Sequence, residues 1–316
     1  MVKIAAAGGT GNVATEVLRV SAASGKHDIT IFTRSKPSTN PLNLPYKIVD
    51  YQDRAALTEA LKGFDVCLSF LVVHLDKDNV AHKNLTHASI AAGVKRFAPS
   101  EWAVKNGNGA NTVYANKDIM ATYLSTLPET QSGKLEYCHF QPSIFMDYFA
   151  HPNPLTPGLL TWPFFADFEN RRALVVDSGD DPLVVTALSD ISNVFALALE
   201  DTRPWPAVGG MRGARTTMNE VLALGKKIRG GEWHVDYVKS ADTEKGVLTS
   251  DFVPELPHPA FPVDQRKAMS TAIACSLLTA ISTGGWDVSD EWNQRFPEYK
   301  FIGLEEYLRK AWEGKP

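Results

Sequence analysis

Short apolar runs alternate with amphipathic segments through the first half of the chain. The runs predict strands because they are four to seven residues long, and the segments between them carry apolar residues at helical spacing. The predicted strands are 2–7, 28–32, 46–50, 65–71, 95–98 and 135–141. Helices are predicted from residue 12 onwards, over 55–61, over 79–92, and from about 113 to about 127. Strands alternating with helices of this length predict right-handed crossovers and a doubly wound α/β fold with a mostly parallel sheet.

This alternation weakens beyond about residue 150. Short strands are predicted at 174–176, 182–187 and 232–238, and helices at 189–199, 217–228, 264–281 and 304–312. Residues 106–111 and 251–262 are rich in Gly and Asn or in Pro, and predict loops. We therefore expect a first domain at 1–150 and a smaller α+β substrate lobe at 151–316, part of which returns to the sheet.

A glycine turn follows the first predicted strand. Gly8-Gly9-Thr10-Gly11 separates that strand from a helix beginning at Asn12. In this order Gly8 can take the tight turn, Gly11 lets the backbone approach a pyrophosphate, and the helix N-terminus favours its charge. The turn predicts a Rossmann-type dinucleotide site, although an ordinary glycine turn is the alternative for this motif alone. The predicted contacts are Gly8, Thr10, Gly11, Asn12 and Val13.

The second predicted strand indicates which dinucleotide is bound. It ends in Thr33-Arg34-Ser35-Lys36, with no Asp or Glu to bind the ribose hydroxyls of NAD. The guanidinium of Arg34 offers a bidentate fork to a 2′-phosphate, and Lys36 adds charge. We therefore predict NADPH/NADP as the cofactor, the alternative being two solvated surface cations.

Composition and charge exclude several other classes. The formal net charge of −4 gives no electrostatic case for nucleic acid or for an anionic membrane. The three cysteines, Cys67, Cys138 and Cys275, are dispersed and predict neither disulfides nor a zinc site, and no metal site is expected. Apolar runs fall short of a membrane span and no signal peptide is evident, so we expect a cytoplasmic protein.

Three motifs of this sequence resemble those of a known family. They are the glycine turn, Thr33-Arg34, and residues 93–102, Gly-Val-Lys-Arg-Phe-Ala-Pro-Ser-Glu-Trp. They are similar to the isoflavone reductase-like and NmrA-like family, atypical short-chain dehydrogenases with an NADP-binding Rossmann domain. The resemblance is clear to about residue 150 and fainter to about 235. It implies an NADPH-dependent reductase of an aromatic or phenolic small molecule of specialised metabolism, expected to be a monomer or weak homodimer.

The resemblance also implies a catalytic lysine at Lys117. Tyr114 and Lys117 are three residues apart, so the Tyr-x-x-x-Lys pair of standard short-chain dehydrogenases is absent. In the atypical branch the lysine acts without the tyrosine, as general acid/base beside the cofactor. This chemistry requires burial that lowers the lysine pKa towards neutrality. A solvated helix lysine is the alternative.

Further contacts are expected beyond the carboxyl ends of the predicted strands, where ligands of open α/β sheets bind. His74 lies a little further on and could touch the ligand, but as a lone loop histidine it is expected to be solvated. Two of the contacts, Ser143 and Phe145, rest on the resemblance alone. The additional predicted cofactor contacts are Ser69, Phe70, Leu71, Pro99, Ser100, Lys117, Ser143 and Phe145.

Aromatic residues are concentrated between 140 and 168, where prolines and a glycine predict a loop. Beside a nicotinamide they would line an apolar pocket for a flat ring. Packing into the core is the alternative for each of them. The predicted substrate contacts are Trp102, Phe145, Tyr148, Phe149, Trp162 and Phe164.

Two other functions stay open on the sequence. NmrA-like regulators keep this fold and bind nicotinamide dinucleotides without turnover, signalling through a protein partner. A redox-neutral isomerase or cyclase would use the same pocket. Lys117 and the aromatic stretch favour the reductase.

Overall fold

The computed structural model describes residues 1–108, 112–257 and 262–315, so parts of the two predicted loops lie outside the described residues. A parallel sheet forms the centre of the N-terminal half. Its strands are β1 (Lys3–Ala7), β2 (Asp28–Thr33), β3 (Tyr46–Ile48), β4 (Val66–Ser69), β5 (Arg96–Ala98) and β6 (Glu136–Tyr137). They lie in the order β3-β2-β1-β4-β5-β6, and every neighbouring pair is parallel.

Helices link these strands. They are α1 (Asn12–Ser24), α2 (Arg54–Leu61), α3 (Val80–Ala92), α4 (Ala115–Thr126) and the short α5 (Pro128–Gln131). Residues 4–7 of β1 are fully buried, as expected for a strand covered on both faces. The strand order reverses between β1 and β4, and a dinucleotide binds at such a switch point. The predicted Rossmann-type fold is confirmed.

The predicted sixth strand is divided in two. β6 pairs with β5, whereas β7 (His139–Gln141) pairs with β12 (Val208–Gly210), so a single strand over 135–141 was wrong. The partner changes at Cys138, whose N–H donates to Phe97 O at 3.1 Å, while His139 N–H donates to Ala207 O at 2.9 Å. A later segment of the chain therefore completes the edge beyond β6.

The remaining strands form two small sheets, in the orders β14-β10-β9 and β13-β11-β8. These strands are β8 (Ile144–Phe145), β9 (Ala166–Asp167), β10 (Arg172–Val176), β11 (Leu183–Thr186), β13 (Ala214–Thr216) and β14 (His234–Val238). The helices that follow are α6 (Leu188–Glu200), α7 (Met218–Arg229), α8 (Ser240–Thr243), α9 (Arg266–Ser282), α10 (Glu291–Arg295) and α11 (Leu304–Trp312).

No strand described after residue 150 pairs with one of the six strands themselves, but β12 pairs with β7, which continues directly from β6. The predicted return of the chain to that sheet stays a prediction. Helix α6 packs on α1. Ser192 Oγ donates to Val17 O and accepts from Val20 N–H, both at 3.1 Å. One hydrophobic core joins Leu18 to Phe195 and Trp292, and the division at residue 150 stays a prediction.

Within the described ranges, no helix is both long and apolar enough to cross a membrane. The same residues contain no cluster of three or more His, Cys, Asp or Glu side chains arranged to hold a metal ion.

Candidate active site

The glycine turn is packed closely between β1 and β4. Gly8 has φ +71°, and a Cβ there would lie 3.1 Å from the carbonyl carbon and oxygen of Phe70. A Cβ on Gly9 would lie 2.8 Å from Ala6 O. The Gly8 N–H donates to Phe32 O at 3.0 Å and to the Tyr51 hydroxyl at 3.1 Å. Side chains are therefore excluded from this cradle, as close approach to a pyrophosphate requires.

The N-terminus of α1 opens onto this turn. Gly11 is its N-cap, with extended backbone and no capping side chain. The Val13 N–H is bonded to Asn12 Oδ1 at 2.8 Å, whereas the N–H groups of Thr10 and Asn12 have no acceptor among the described residues. Unpaired donors at the positive end of a helix favour a phosphate. The turn therefore fits the predicted dinucleotide.

Two cations follow β2 at the same edge of the sheet. Arg34 and Lys36 are exposed, and neither forms a hydrogen bond or ion pair within the described part of the chain. The Tyr51 hydroxyl, which the sequence analysis did not single out, ties this region to the turn by donating to Phe32 O at 2.8 Å. Unpaired cations at this position fit a 2′-phosphate.

One predicted cofactor contact faces away from the cradle. The Ser69 hydroxyl is fully buried and lies 3.1 Å from His82 Nε2, while His82 Nδ1 lies 2.8 Å from Asp76 Oδ2. The Ser69 side chain is thus held inside the protein, so the predicted contact of Ser69 with the cofactor stays a prediction that its backbone would have to satisfy. Burial also denies this Ser-His-Asp array the solvent access that a nucleophile needs. It fixes the segment between β4 and α3.

Trp102 forms the wall between the cradle and the interior. It follows Pro99 and Ser100 at the end of β5 and has φ +36°, an unusual backbone conformation for a bulky residue. Its ring stacks between Phe70 (centroids 4.8 Å apart) and Phe140 (5.1 Å), and its Nε1 donates to Ser69 O at 2.9 Å. These contacts hold the strained residue in place, as is common at functional sites.

A cavity of about 300 Å³ lies beyond Trp102. It contains five of the six predicted substrate residues and also Ser143 and His74, the latter an exposed residue that was expected to be solvated. Its lining is Trp102, Ala103, Val113, Tyr114, Ser143, Ile144, Phe145, Tyr148, Trp162, Phe164, Leu256, Met269, Ala272, Ile273, Leu277, Trp286 and His74. Such an apolar, aromatic cavity suits a ring-containing ligand.

Phe149 is the exception, and its predicted substrate contact was wrong. Its ring is fully buried against Phe165 and Phe168, and its carbonyl accepts from Trp312 Nε1 at 3.1 Å. The 3₁₀ turn over Met146–Ala150 directs Tyr148 into the cavity and Phe149 into the core. Adjacent aromatics cannot both face one side of such a turn.

Ten cavity residues escaped the sequence analysis as ligand contacts, among them Tyr114, Trp286 and Ile144. Tyr114 precedes α4 and Trp286 follows α9, and their rings pack edge to face at 5.8 Å. The hydroxyls of Tyr114 and Tyr148 have no hydrogen-bond partner among the described residues, and burial raises the pKa of both. Both therefore remain protonated donors at neutral pH. Ile144 enters the cavity from β8.

Ser143 is held at the same wall by the backbone. It has φ +63°, its N–H donates to Ala103 O at 3.0 Å, and its hydroxyl donates to Trp286 O at 2.7 Å. Its hydroxyl is thus already engaged within the protein.

Lys117 lies on the first turn of α4 and is buried, with 6% of its surface exposed. Its ammonium donates to the backbone carbonyl of Glu101 and lies 5.4 Å from the ring centre of Tyr114. Lys117 does not itself line the cavity. Burial lowers the pKa of its ammonium to about 8, against the opposing influence of the Glu101 and Asp118 charges. A lysine with such a pKa can exchange a proton near neutrality.

This burial predicts a pH dependence of stability. The Lys117 pKa is about 8 when folded and 10.5 when unfolded, so the unfolded chain binds more protons between these values. The free energy of unfolding therefore rises with pH there, by about 2 kcal/mol between pH 7.5 and 9.5. Urea unfolding of wild type and Lys117→Met at several pH values measures this rise as the difference between the two proteins. A pH-independent difference would contradict it.

The chain is similar in sequence to a known protein family and to named oxidoreductases. A model of the NmrA-like family matches residues 2–308. An oxidoreductase from Botryotinia fuckeliana is 26% identical over 74% of this chain and 78% of its own. A phenylcoumaran benzylic ether reductase from Betula pendula is 24% identical over 98% of each chain.

Solved structures share the fold. The binary complex of leucoanthocyanidin reductase with NADPH from Vitis vinifera superposes with a TM-score of 0.70 at 16% identity. The match covers 98% of this chain and 99% of that one, so both halves of the molecule have the same arrangement.

Proposed function

The chain belongs to the NmrA-like family, and we propose that it is an NADPH-dependent reductase of an aromatic, phenolic small molecule. One observation carries the proposal: the dinucleotide cradle and the aromatic cavity share a wall. Phe70 packs on Gly8 on one side and stacks on Trp102 on the other, and Trp102 lines the cavity. A ligand in the cavity would lie next to a cofactor in the cradle.

Different residues of the cradle would bind different parts of NADPH. The free N–H groups of Thr10 and Asn12 would bind the pyrophosphate, and Arg34 and Lys36 the 2′-phosphate. The bound cofactor supplies a hydride. The sequence is similar to that of a reductase from Betula pendula, and the fold is similar to that of NADPH-bound leucoanthocyanidin reductase. Both similarities support this assignment.

The cavity favours a substrate with one flat ring system and an oxygen acceptor. Its volume of about 300 Å³ is at the small end of ligand sites. Seven of its seventeen lining residues are Phe, Tyr or Trp. The hydroxyls of Tyr114 and Tyr148 supply donors that have no hydrogen-bond partner among the described residues. The names of the Betula and Vitis relatives refer to phenolic compounds, which supports a phenolic substrate.

We assign to Lys117 the role of general acid/base. Its ammonium is buried one helical turn from Tyr114, which lines the cavity. To reach an oxygen in the cavity, its flexible side chain must leave the Glu101 carbonyl and pass the Tyr114 ring. Removal of water around this path would strengthen its effect on the substrate oxygen.

Arg34→Ala tests the choice of cofactor. We expect the affinity for NADPH to fall about tenfold, or 1.4 kcal/mol, because a bidentate contact to the 2′-phosphate is lost. The affinity for NADH, which lacks this phosphate, should change less than twofold. Fluorescence titration with both dinucleotides measures the two constants.

Lys95→Ala is the matched control, because this exposed lysine precedes β5 and so lies at the amino ends of the strands, away from the cradle at their carboxyl ends. It should leave both affinities unchanged. Equal losses for NADPH and NADH in Arg34→Ala would reject the assignment.

Turnover is tested by NADPH consumption with a panel of phenolic carbonyls, conjugated alkenes and benzylic ethers. Substrate-dependent oxidation supports the reductase. Tight dinucleotide binding without oxidation of NADPH by any compound would favour the regulator, and conversion without NADPH consumption would favour the redox-neutral enzyme.

A further inference from the structure

Glu101 is a buried carboxylate at the end of β5 that the proposed reaction does not use directly. Only 1% of its surface is exposed. Its Oε2 accepts from Asn106 Nδ2 at 3.1 Å, and its Oε1 lies 3.6 Å from His139 Nδ1, which makes no hydrogen bond within the described ranges. A buried charge with so few partners is costly, so a compensating cation is expected nearby.

The same residue holds Lys117 through its backbone. The Lys117 ammonium donates to the Glu101 carbonyl oxygen, while the carboxylate acts on it through space. The carboxylate is itself fixed, because Asn106 Oδ1 accepts from the buried Gln141 Nε2 at 2.6 Å. Glu101 thus links the catalytic lysine to a polar cluster on β7.

The other charged and titratable groups around Lys117 act more weakly or not at all on its charge. Asp118, on the same helix, is half-buried and accepts from Gly107 N–H at 2.8 Å, so solvent screens it in part. The Tyr114 phenol is neutral at physiological pH because burial raises its pKa. His139 lies against the Glu101 carboxylate, with its Nδ1 3.6 Å from Oε1.

We infer that Glu101 is the positioning residue of Lys117: its carbonyl oxygen sets the place of the ammonium, and its buried carboxylate supplies the opposite charge from the same residue. Asn106 and Gln141 fix the carboxylate. This inference rests on the proposed function for its catalytic meaning, but its physical content concerns two side chains of the free protein.

Glu101→Gln tests the inference, because it removes the charge with little change of shape and leaves the backbone carbonyl in place. The titration midpoint of Lys117 is read from the ¹³Cε signal of lysine-labelled protein, assigned by its absence in Lys117→Met. We expect the midpoint to fall by about one pH unit or more, because an opposite charge no longer favours the ammonium. The limb of the pH–rate profile that depends on Lys117 should move equally far, which loss of structure alone would not produce.

Asp118→Asn is the matched control and should shift the midpoint by less than half as much. Glu101→Asp keeps the charge on a shorter side chain and should fall between wild type and Glu101→Gln. If Glu101→Gln does not fold, Glu101→Asp decides the matter: a lowered midpoint supports the inference and a wild-type midpoint overturns it. An unchanged midpoint in folded Glu101→Gln, or an equal shift in Asp118→Asn, would also overturn it.

The titration needs neither cofactor nor substrate. A lack of reductase activity would therefore count against the proposed function, whereas the midpoints alone decide the role of Glu101.

Discussion

Replacing Lys117 with methionine is expected to reduce kcat/KM at least about a hundredfold, the usual contribution of a general acid or base. The affinity for NADPH should stay within about threefold, or 0.6 kcal/mol, because the cradle of Gly8, Thr10, Asn12 and Arg34 is untouched. Methionine fills the same buried volume without a charge, so the fold should persist. Steady-state kinetics and fluorescence titration measure the two effects.

Lys134→Met serves as the control. Lys134 is exposed and precedes β6, away from the carboxyl ends of the strands, and its loss should change neither quantity. Turnover in Lys117→Met within threefold of wild type would remove Lys117 from the chemistry, although the dinucleotide site would stand.

Gly8→Ala is expected to weaken NADPH binding about thirtyfold, or roughly 2 kcal/mol. The residue has φ +71°, and its new Cβ would lie 3.1 Å from the Phe70 carbonyl and 3.3 Å from Leu71 Cδ2. The end of β4 must move to relieve these contacts. That movement displaces Phe70, and with it the wall that separates the cradle from the cavity.

Gly25→Ala provides a control for backbone strain. Gly25 ends α1 with φ +63°, but a Cβ there meets nothing within 4 Å. It should lower the free energy of unfolding by about 1 kcal/mol, as expected for alanine at a left-handed position, and leave NADPH affinity unchanged. Equal binding by Gly8→Ala and wild type in fluorescence titration would contradict the proposed cradle.

The candidate site was predictable from sequence where a short segment suffices. The glycine turn and the start of α1 are determined by adjacent residues. Arg34 and Lys36 follow from the end of β2, since a strand places its last residues at the edge of the sheet. The order of strands and helices predicted the Rossmann-type sheet, because each of these elements has a recognisable local pattern.

The directions of two adjacent aromatic side chains could not be predicted from the local sequence. Tyr148 and Phe149 lie in the same apolar stretch, yet one faces the cavity and the other the core. The 3₁₀ turn that separates their directions packs against α11, far away in the sequence. The side of the chain that a residue faces in a loop is set by such distant contacts.

The sequence by itself determined the order of strands and helices in the N-terminal, Rossmann-type half of this protein and its glycine turn, because periodicity and turn chemistry are local properties. Only the tertiary structure decided that Lys117 is buried, that Glu101 holds it, and that Tyr114 and Trp286 complete an aromatic cavity. It also divided the strand predicted at 135–141 between two partners. Burial and pKa depend on which distant segments exclude water from a side chain, and no short window of sequence contains that information.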